Sequence, residues 1–294
     1  MAIVIARGYR ASFAYALESA YGVIAQNGSS NGFPYLWPGA TPEATPDTNI
    51  NLIKVWNIGT RNLYQMRAGA REFTVSITTN PSDINYIATS ISSAVMANNT
   101  SYTLWLDYQD INQQFFYQGA KVSTMKISGK YGEVLKVETE WWSQNVNIGS
   151  SFGNTLPADP GLNLFYFGDQ QVSYSSSAIS TAVVLPKVWS FEFNIKNNLE
   201  RVYQLGQVYI RALPEKNLEL NGNIQMTFED ISQYTDAISA NDFSLSINIG
   251  KDSAGTTHTL NLFNCKWDKV DFPTKPTDLV VHTLPFTCKT FTLV

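Results

Sequence analysis

The chain has 294 residues, enough for two domains of roughly 100 to 150 residues each. It is 44% hydrophobic and only 15% charged, below the ~25% of an average soluble protein, so Asn, Gln, Ser, Thr or contacts with other subunits must cover its surface. The net charge of −4 argues against a protein that grips nucleic acid, though not against a surface past which nucleic acid slides. Along the chain, residues 1–50 read as an N-terminal arm and a long loop. A short apolar stretch, Ala11 to Leu17, precedes NGSSNGFPYLWPGATPEATPDTN, where Gly, Pro, Asn and Ser are too dense for a regular element. From Leu52 short alternating runs begin, and in Arg71 to Thr79 the residues Phe73, Val75 and Ile77 alternate with Glu72, Thr74, Ser76 and Thr78, the period of a half-buried strand. Asn80-Pro81-Ser82-Asp83 then opens a helix whose apolar stripe is Ile84, Ile87, Ala88, Ile91, Ala94 and Val95, ended by Asn98-Asn99. Strands are predicted at Tyr102 to Tyr108, Phe115 to Ser128 and Glu133 to Trp142, the last two joined by a turn at Ser128 to Gly132.

The second half repeats this order. Tyr64 matches Tyr203, Ile77 matches Met226, Tyr102 matches Phe243 and Lys121 matches Lys266, with offsets between 139 and 149 residues. Copies that keep their order while loops lengthen or shorten are what a duplicated domain shows. A short helix is predicted at Asp230 to Ile238. The resulting division is an arm at 1–50, a first domain at 51–148, a linker at 149–186 and a second domain at 187–294, mainly β with flanking helices. The linker holds the apolar run Leu162 to Phe167, which is expected to pack against something.

Catalytic chemistry has little to draw on. The two histidines, His258 and His282, each fall in a predicted strand with no Cys, Asp or Glu at ligand spacing, so structural roles are expected and no metal is called for. Glycine-rich phosphate loops, nucleophile elbows and zinc-protease runs are absent from the sequence. Glu138 and Glu140 lie on one side of a strand beside Trp141 and Trp142, a carboxylate pair a glycosidase could use. The preferred reading is an exposed polar face with a core tryptophan. Glu229-Asp230 reads as acidic residues complementing a helix start. The 16 Phe, 15 Tyr and 7 Trp invite a carbohydrate-binding or single-strand reading. Phe115-Phe116-Tyr117 and Phe165-Tyr166-Phe167 have no interleaved basic residues, so core and interface packing explain them more simply.

Cys265 and Cys288 flank a predicted hairpin. A cross-strand disulfide and a pair of small buried thiols both fit, and an intracellular origin favours the thiols. No apolar run approaches the ~18 to 20 residues of a membrane span, and MAIVIARGYR is too short in apolar residues for a signal peptide. The expectation is a chain that is cytoplasmic at synthesis, in which the sequons at Asn27, Asn98 and Asn99 carry little weight.

Three passages resemble the tail tube proteins of long-tailed bacterial and archaeal viruses. Ala16 to Gly22 followed by Leu36-Trp37-Pro38-Gly39 is similar to the family's "E-x-x-Y-G" segment and its loop. Gln114 to Ser123 followed by Glu138 to Trp141 is similar to its hairpin with a "Y-x-G-x-K-V" run, and Asn223 to Glu229, Asp242 to Ile249 and Leu284-Pro285-Phe286 resemble the second copy. The resemblance implies β-sandwich or partly closed barrel domains with a flanking helix, in rings stacked into a hollow tube in the virion tail, without catalysis or cofactor. For a duplicated chain it implies homotrimer rings with pseudo-sixfold symmetry. It implies as partners the chain itself, a tape-measure protein in the lumen, tail terminator and tail-tip proteins, and viral DNA in transit without specific binding. The arm and the Gly/Pro-rich loop suit reaching a neighbouring ring. A lumen that conducts DNA should be neutral to acidic. Its candidate lining is the polar strand faces: Glu72, Thr74, Ser76, Glu138 and Glu140 in the first copy, with Asn223, Gln225, Ser244, Ser246 and Asn248 in the second. The alternatives are another tail or baseplate component, the inner tube of a contractile injection machine and, from a different class, a carbohydrate-binding β-sandwich.

Overall fold

The computed structural model describes residues 11–25, 34–56, 63–95, 100–149, 163–176, 178–185, 187–227, 241–252, 255–269 and 281–294, with 157, 161, 235, 238 and 239 between them. The first half holds β1 (Ala11–Leu17), β2 (Ala40–Trp56), β3 (Leu63–Asn80), α1 (Asn85–Val95), β4 (Tyr102–Tyr108), β5 (Gln113–Lys130), β6 (Lys136–Ser143) and β7 (Asn145–Gly149). The second holds β8 (Gln171–Ser175), β9 (Val183–Val184), β10 (Val188–Lys196), β11 (Val202–Tyr203), β12 (Ile210–Ala212), β13 (Glu219–Thr227), β14 (Phe243–Lys251), β15 (Thr257–Trp267), β16 (Val281–Thr287) and β17 (Thr290–Leu293). The predicted mainly β architecture is what the chain adopts.

The strands of a front sheet run in the order β2-β3-β6-β5-β10-β13-β16-β15, all antiparallel where paired. Behind it stand two smaller groups, β1-β4-β5-β7 and β8-β14-β15-β17. The same pairing pattern therefore occurs twice along the chain. β5 serves two sheets: its first part pairs with β4 and β7, and from Lys121 onward it pairs with β6 and β10. At the crossing Gly119 has φ 64°, and Asn264, just before the corresponding crossing of β15, has φ 51°. This left-handed conformation favours Gly and Asn.

The alternation read from β3 builds the core. Phe73, Val75 and Ile77 are buried, as are Val137 and Trp141 on β6, Met125 and Ile127 on β5, Phe191, Phe193 and Ile195 on β10, Ile224 and Met226 on β13, and Leu284 and Phe286 on β16. All lie between the front sheet and its backing, the arrangement that buries one face of each layer. Helix α1 closes the first half: Tyr86 and Ile87 are fully buried, and the Tyr86 hydroxyl lies 2.8 Å from Thr139 Oγ1, which also accepts from Trp141 Nε1 at 2.9 Å. Asp83 accepts from the backbone N–H of Asn85 at 2.8 Å, so acidic helix-entry chemistry is present, with Pro81 before the first turn.

Two expectations change. Ala40 to Asn49, read as loop, is strand: β2 pairs with β3 alone among the described residues, and an edge strand accommodates Pro42 and Pro46 because one side of it needs no ladder donors. The segment read as linker contains β8 and β9, and Phe165 of its apolar run is fully buried, its backbone N–H donating to the Pro81 carbonyl and its carbonyl accepting from the Leu135 N–H. The helix predicted at Asp230 to Ile238 lies almost entirely outside the described residues.

Candidate functional site

The front sheet buries one face and leaves the other polar. Cross-strand neighbours on that open face form rows. One runs Glu43, Thr78, Glu138, Lys126, Asn194, Asn221 and Thr287. A second runs Thr45, Ser76, Glu140, Thr124, Lys196 and Glu219, and a third Lys136, Ser128, Glu192, Asn223 and Pro285. The surface is slightly troughed, enclosing about 500 Å³ between Glu43, Ser76, Lys126, Glu140 and Asn221. Carboxylates at Glu43, Asp47, Glu72, Glu138, Glu140, Glu192 and Glu219 outnumber the lysines Lys126, Lys130, Lys136, Lys196 and Lys266 on this face.

Those lysines are largely occupied. Lys126 Nζ lies 2.9 Å from Glu192 and 3.7 Å from Glu138, Lys136 pairs with Glu138, and Lys196 lies 3.4 Å from Glu219. The hydrogen bond from Lys136, reinforced by Lys126, holds the Glu138 carboxyl below the usual glutamate range. The hydrogen bond to Glu192 raises Lys126. Cations neutralised in place offer a passing polyanion few counterion-releasing contacts.

Of the ten residues predicted to line a lumen, Thr74, Ser76, Glu138, Glu140, Asn223 and Gln225 share this open face. Glu72 sits at its lower end, where Arg201 (3.3 Å), Tyr203 (3.3 Å) and Asn51 (3.2 Å) hold it. Ser244, Ser246 and Asn248 stand apart on β14 in the back layer; Ser244 is buried, and Ser246 and Asn248 bond across to Asn261 and Thr259. Polar alternation alone cannot separate two sheets that are both half-buried.

Several structural residues gave no sequence signal. Residues 200–216 fold against the lower end of the first half: Arg201 stacks 3.7 Å above the Trp142 ring, Tyr209 stacks on Phe73, Val208 accepts from the Arg71 backbone N–H, and Glu215 meets the buried Lys121 at 2.8 Å. The two motifs compared above meet at one carboxylate. Buried Glu18 accepts from Gly22 N–H (2.9 Å), Gly119 N–H (2.8 Å), Ser101 Oγ (2.6 Å) and Thr103 Oγ1 (2.9 Å). Both glycines have positive φ, and a Cβ on either would strike Gln144. Burial raises the Glu18 carboxyl above its ordinary value, and the four donors oppose that. Lys121 of the second motif lies over the Tyr21 ring of the first, 5.9 Å from its centroid.

Among the described residues neither histidine joins a set of three potential metal ligands. His258 Nε2 lies 3.2 Å from Asp252, an acidic neighbour across the β14–β15 turn that the sequence reading missed, and His282 is buried in β16. Among the described residues no cluster of three potential ligands occurs. Cys265 and Cys288 are buried free thiols, and hydrogen bonding to Cys288 together with burial holds Cys265 well above the usual thiol range.

The chain thus offers an acidic-leaning polar sheet with self-neutralised lysines and, among the described residues, an edge strand at β2. No curated protein matches its sequence. A family model described as "Phage tail tube protein" matches residues 8–288, and the chain belongs to that family.

Proposed function

We propose that this tail tube protein brings two copies of one unit, residues 11–149 and 163–294, to a ring of three chains, and that such rings stack into a tube through which viral DNA passes. The observation that carries the reading is the front sheet itself. Its order β2-β3-β6-β5 is followed by β10-β13-β16-β15, and the join is an antiparallel ladder from Thr124 to Lys130 of β5 against Ser190 to Lys196 of β10. β1 and β8 each begin a back group, which supports drawing the copies from before them.

If β5 of the first copy meets β10 of the second, rotation by the same step brings the β15 end of the second copy to β2 of the next chain. An edge that would otherwise invite uncontrolled pairing is then covered by closure. The six similar positions of the ring form one continuous sheet with the polar face inward. Conduction is passive: carboxylates repel phosphates at close range, and Lys126, Lys136 and Lys196 are held by glutamates. In a tail, the tape-measure protein occupies the lumen during assembly in the host cytoplasm, and terminator and tail-tip proteins cap the ends. Electron microscopy of the purified protein tests the reading. Hollow tubes with a central channel are expected, whereas discrete monomers under all conditions would sink it.

A further inference from the structure

The two halves interrupt their front ladders at matching places and in the same way. In the first, Lys121 of β5 pairs with Trp142 of β6, and Gln144 then donates its backbone N–H to Gln118, stepping over Gly119. In the second, Lys266 of β15 pairs with Thr287 of β16, and Lys289 donates to Phe263, stepping over Asn264. Ala120 and Ser143 of the first half therefore stand where Cys265 and Cys288 stand in the second, and all four are buried. The first half fixes its crossing through Glu18, which accepts from the Gly119 N–H. The second has a pair of thiols at that place.

The strand register sets the two cysteines opposite each other. Trp267 pairs with Phe286 and Lys266 with Thr287, and beyond Asn264 the residue Phe263 pairs with Thr290 of β17, so the same register carries Cys265 onto Cys288. Asp268 donates its N–H to the Pro285 carbonyl, which makes those two a hydrogen-bonded pair. By alternation Cys265 and Cys288 form a non-hydrogen-bonded pair, the kind in which opposed Cα atoms approach to about 4.5 Å. The Cys288 N–H accordingly points the other way, to the Leu220 carbonyl of β13. A disulfide spans Cα separations of roughly 4.4–6.8 Å. Access differs between the two: Cys265 is 0% exposed, whereas Cys288 lines an opening of about 570 Å³ beside Lys266 and Lys289.

We infer that Cys265 and Cys288 are a redox modification site: a low-molecular-weight disulfide such as oxidised glutathione converts them to a cystine that latches the sheet crossing of the second half. The Cys288 thiolate attacks the S–S bond of the oxidant, releasing one glutathione thiol and leaving a mixed disulfide on Cys288. Cys265 then attacks the Cys288 sulfur, and the second glutathione leaves with the electron pair. Two electrons pass from the chain's sulfurs to the oxidant, and the two protons lost by the chain end on the two released thiols. The order follows access, since only Cys288 lines an opening. With no catalyst, closure takes minutes to hours. The bond ties β15 to the end of β16 where both change sheet, and it restrains the unfolded chain by closing residues 265–288 into a loop.

The test incubates the purified full chain with oxidised glutathione overnight, quenches it with acid, alkylates it unfolded and weighs it by mass spectrometry. Both cysteines should escape alkylation, with no glutathione retained and no bond between chains. The thermal midpoint of the oxidised chain should lie roughly 5–10 °C above that of the reduced one. Cys265→Ala should trap one glutathione on Cys288, and Cys288→Ala should capture it on Cys265 at least about tenfold more slowly, because that thiol is enclosed. Two alkylatable thiols after exposure, a glutathione kept by the wild-type chain, or cross-linked chains would overturn the inference. A cystine that leaves the thermal midpoint unmoved would overturn the latch, and equal capture by the two variants would overturn the order of attack. The wild-type thiol count decides the matter even if a variant fails to fold, and none of these outcomes depends on the tube reading.

Discussion

Glu18 shows how much one side chain can organise. Its two oxygens accept four donors, two of them backbone N–H groups that cannot be turned around. In Glu18→Gln an amide NH₂ must face one of those N–H groups, and an unsatisfied buried donor costs about 1–3 kcal/mol. A drop of that size in denaturant-measured stability is expected. Glu18 and Glu138 should also respond to pH in opposite senses. The Glu138 carboxyl is lowered by Lys136 and Lys126, so its contribution is present above the ordinary glutamate value and lost as pH falls through its folded value. Glu18 is raised by burial, so its contribution is full below the ordinary value and lost as pH rises through the folded one. The stability gap between wild type and Glu138→Gln, followed by thermal unfolding, should therefore shrink on acidification; a gap that persists at low pH would contradict the assignment.

At the scale of elements, the sequence made the regular parts plain and the docking parts invisible. Phe73-Val75-Ile77 announces a half-buried strand, and β3, α1, β4, β5, β6, β13 and β14 fall where alternation and helix-entry residues place them. β2 escaped because its prolines read as loop, and only the knowledge that it is an edge makes them acceptable. Ser244, Ser246 and Asn248 alternate as regularly as Ser76 does, yet face a different layer, because period two reports a half-buried sheet without saying which one. Tyr64 and Tyr203 match in sequence but sit in connections of unlike shape, one an extended ribbon and the other folded onto the first half. Lys121 and Glu215, 94 residues apart, could be joined only by the fold. Lys121 is 1% exposed, so Lys121→Ala, which leaves Glu215 without its partner, should cost about 3 kcal/mol. A double-mutant cycle with Glu215→Ala should recover part of that loss; strict additivity would mean that the pair contributes nothing to docking residues 200–216.

On the scale of the whole molecule, the repeated pairing pattern matters because the halves are joined edge to edge. The β5–β10 ladder makes one front sheet whose polar face crosses both halves without a break, and the left-handed residues Gly119 and Asn264 mark the same crossing in each. The two halves nevertheless differ. The first has the Glu18 hub and the protruding ribbon, whereas the second sends its corresponding connection back across its partner through Arg201, Tyr209 and Glu215. A helical reconstruction of the assembled tube tests the central claim most directly. It should show three chains per ring at six similar positions, with Glu138 and Asn223 on the wall of the channel. Six chains per ring, or the polar sheet face turned to the outside, would contradict it.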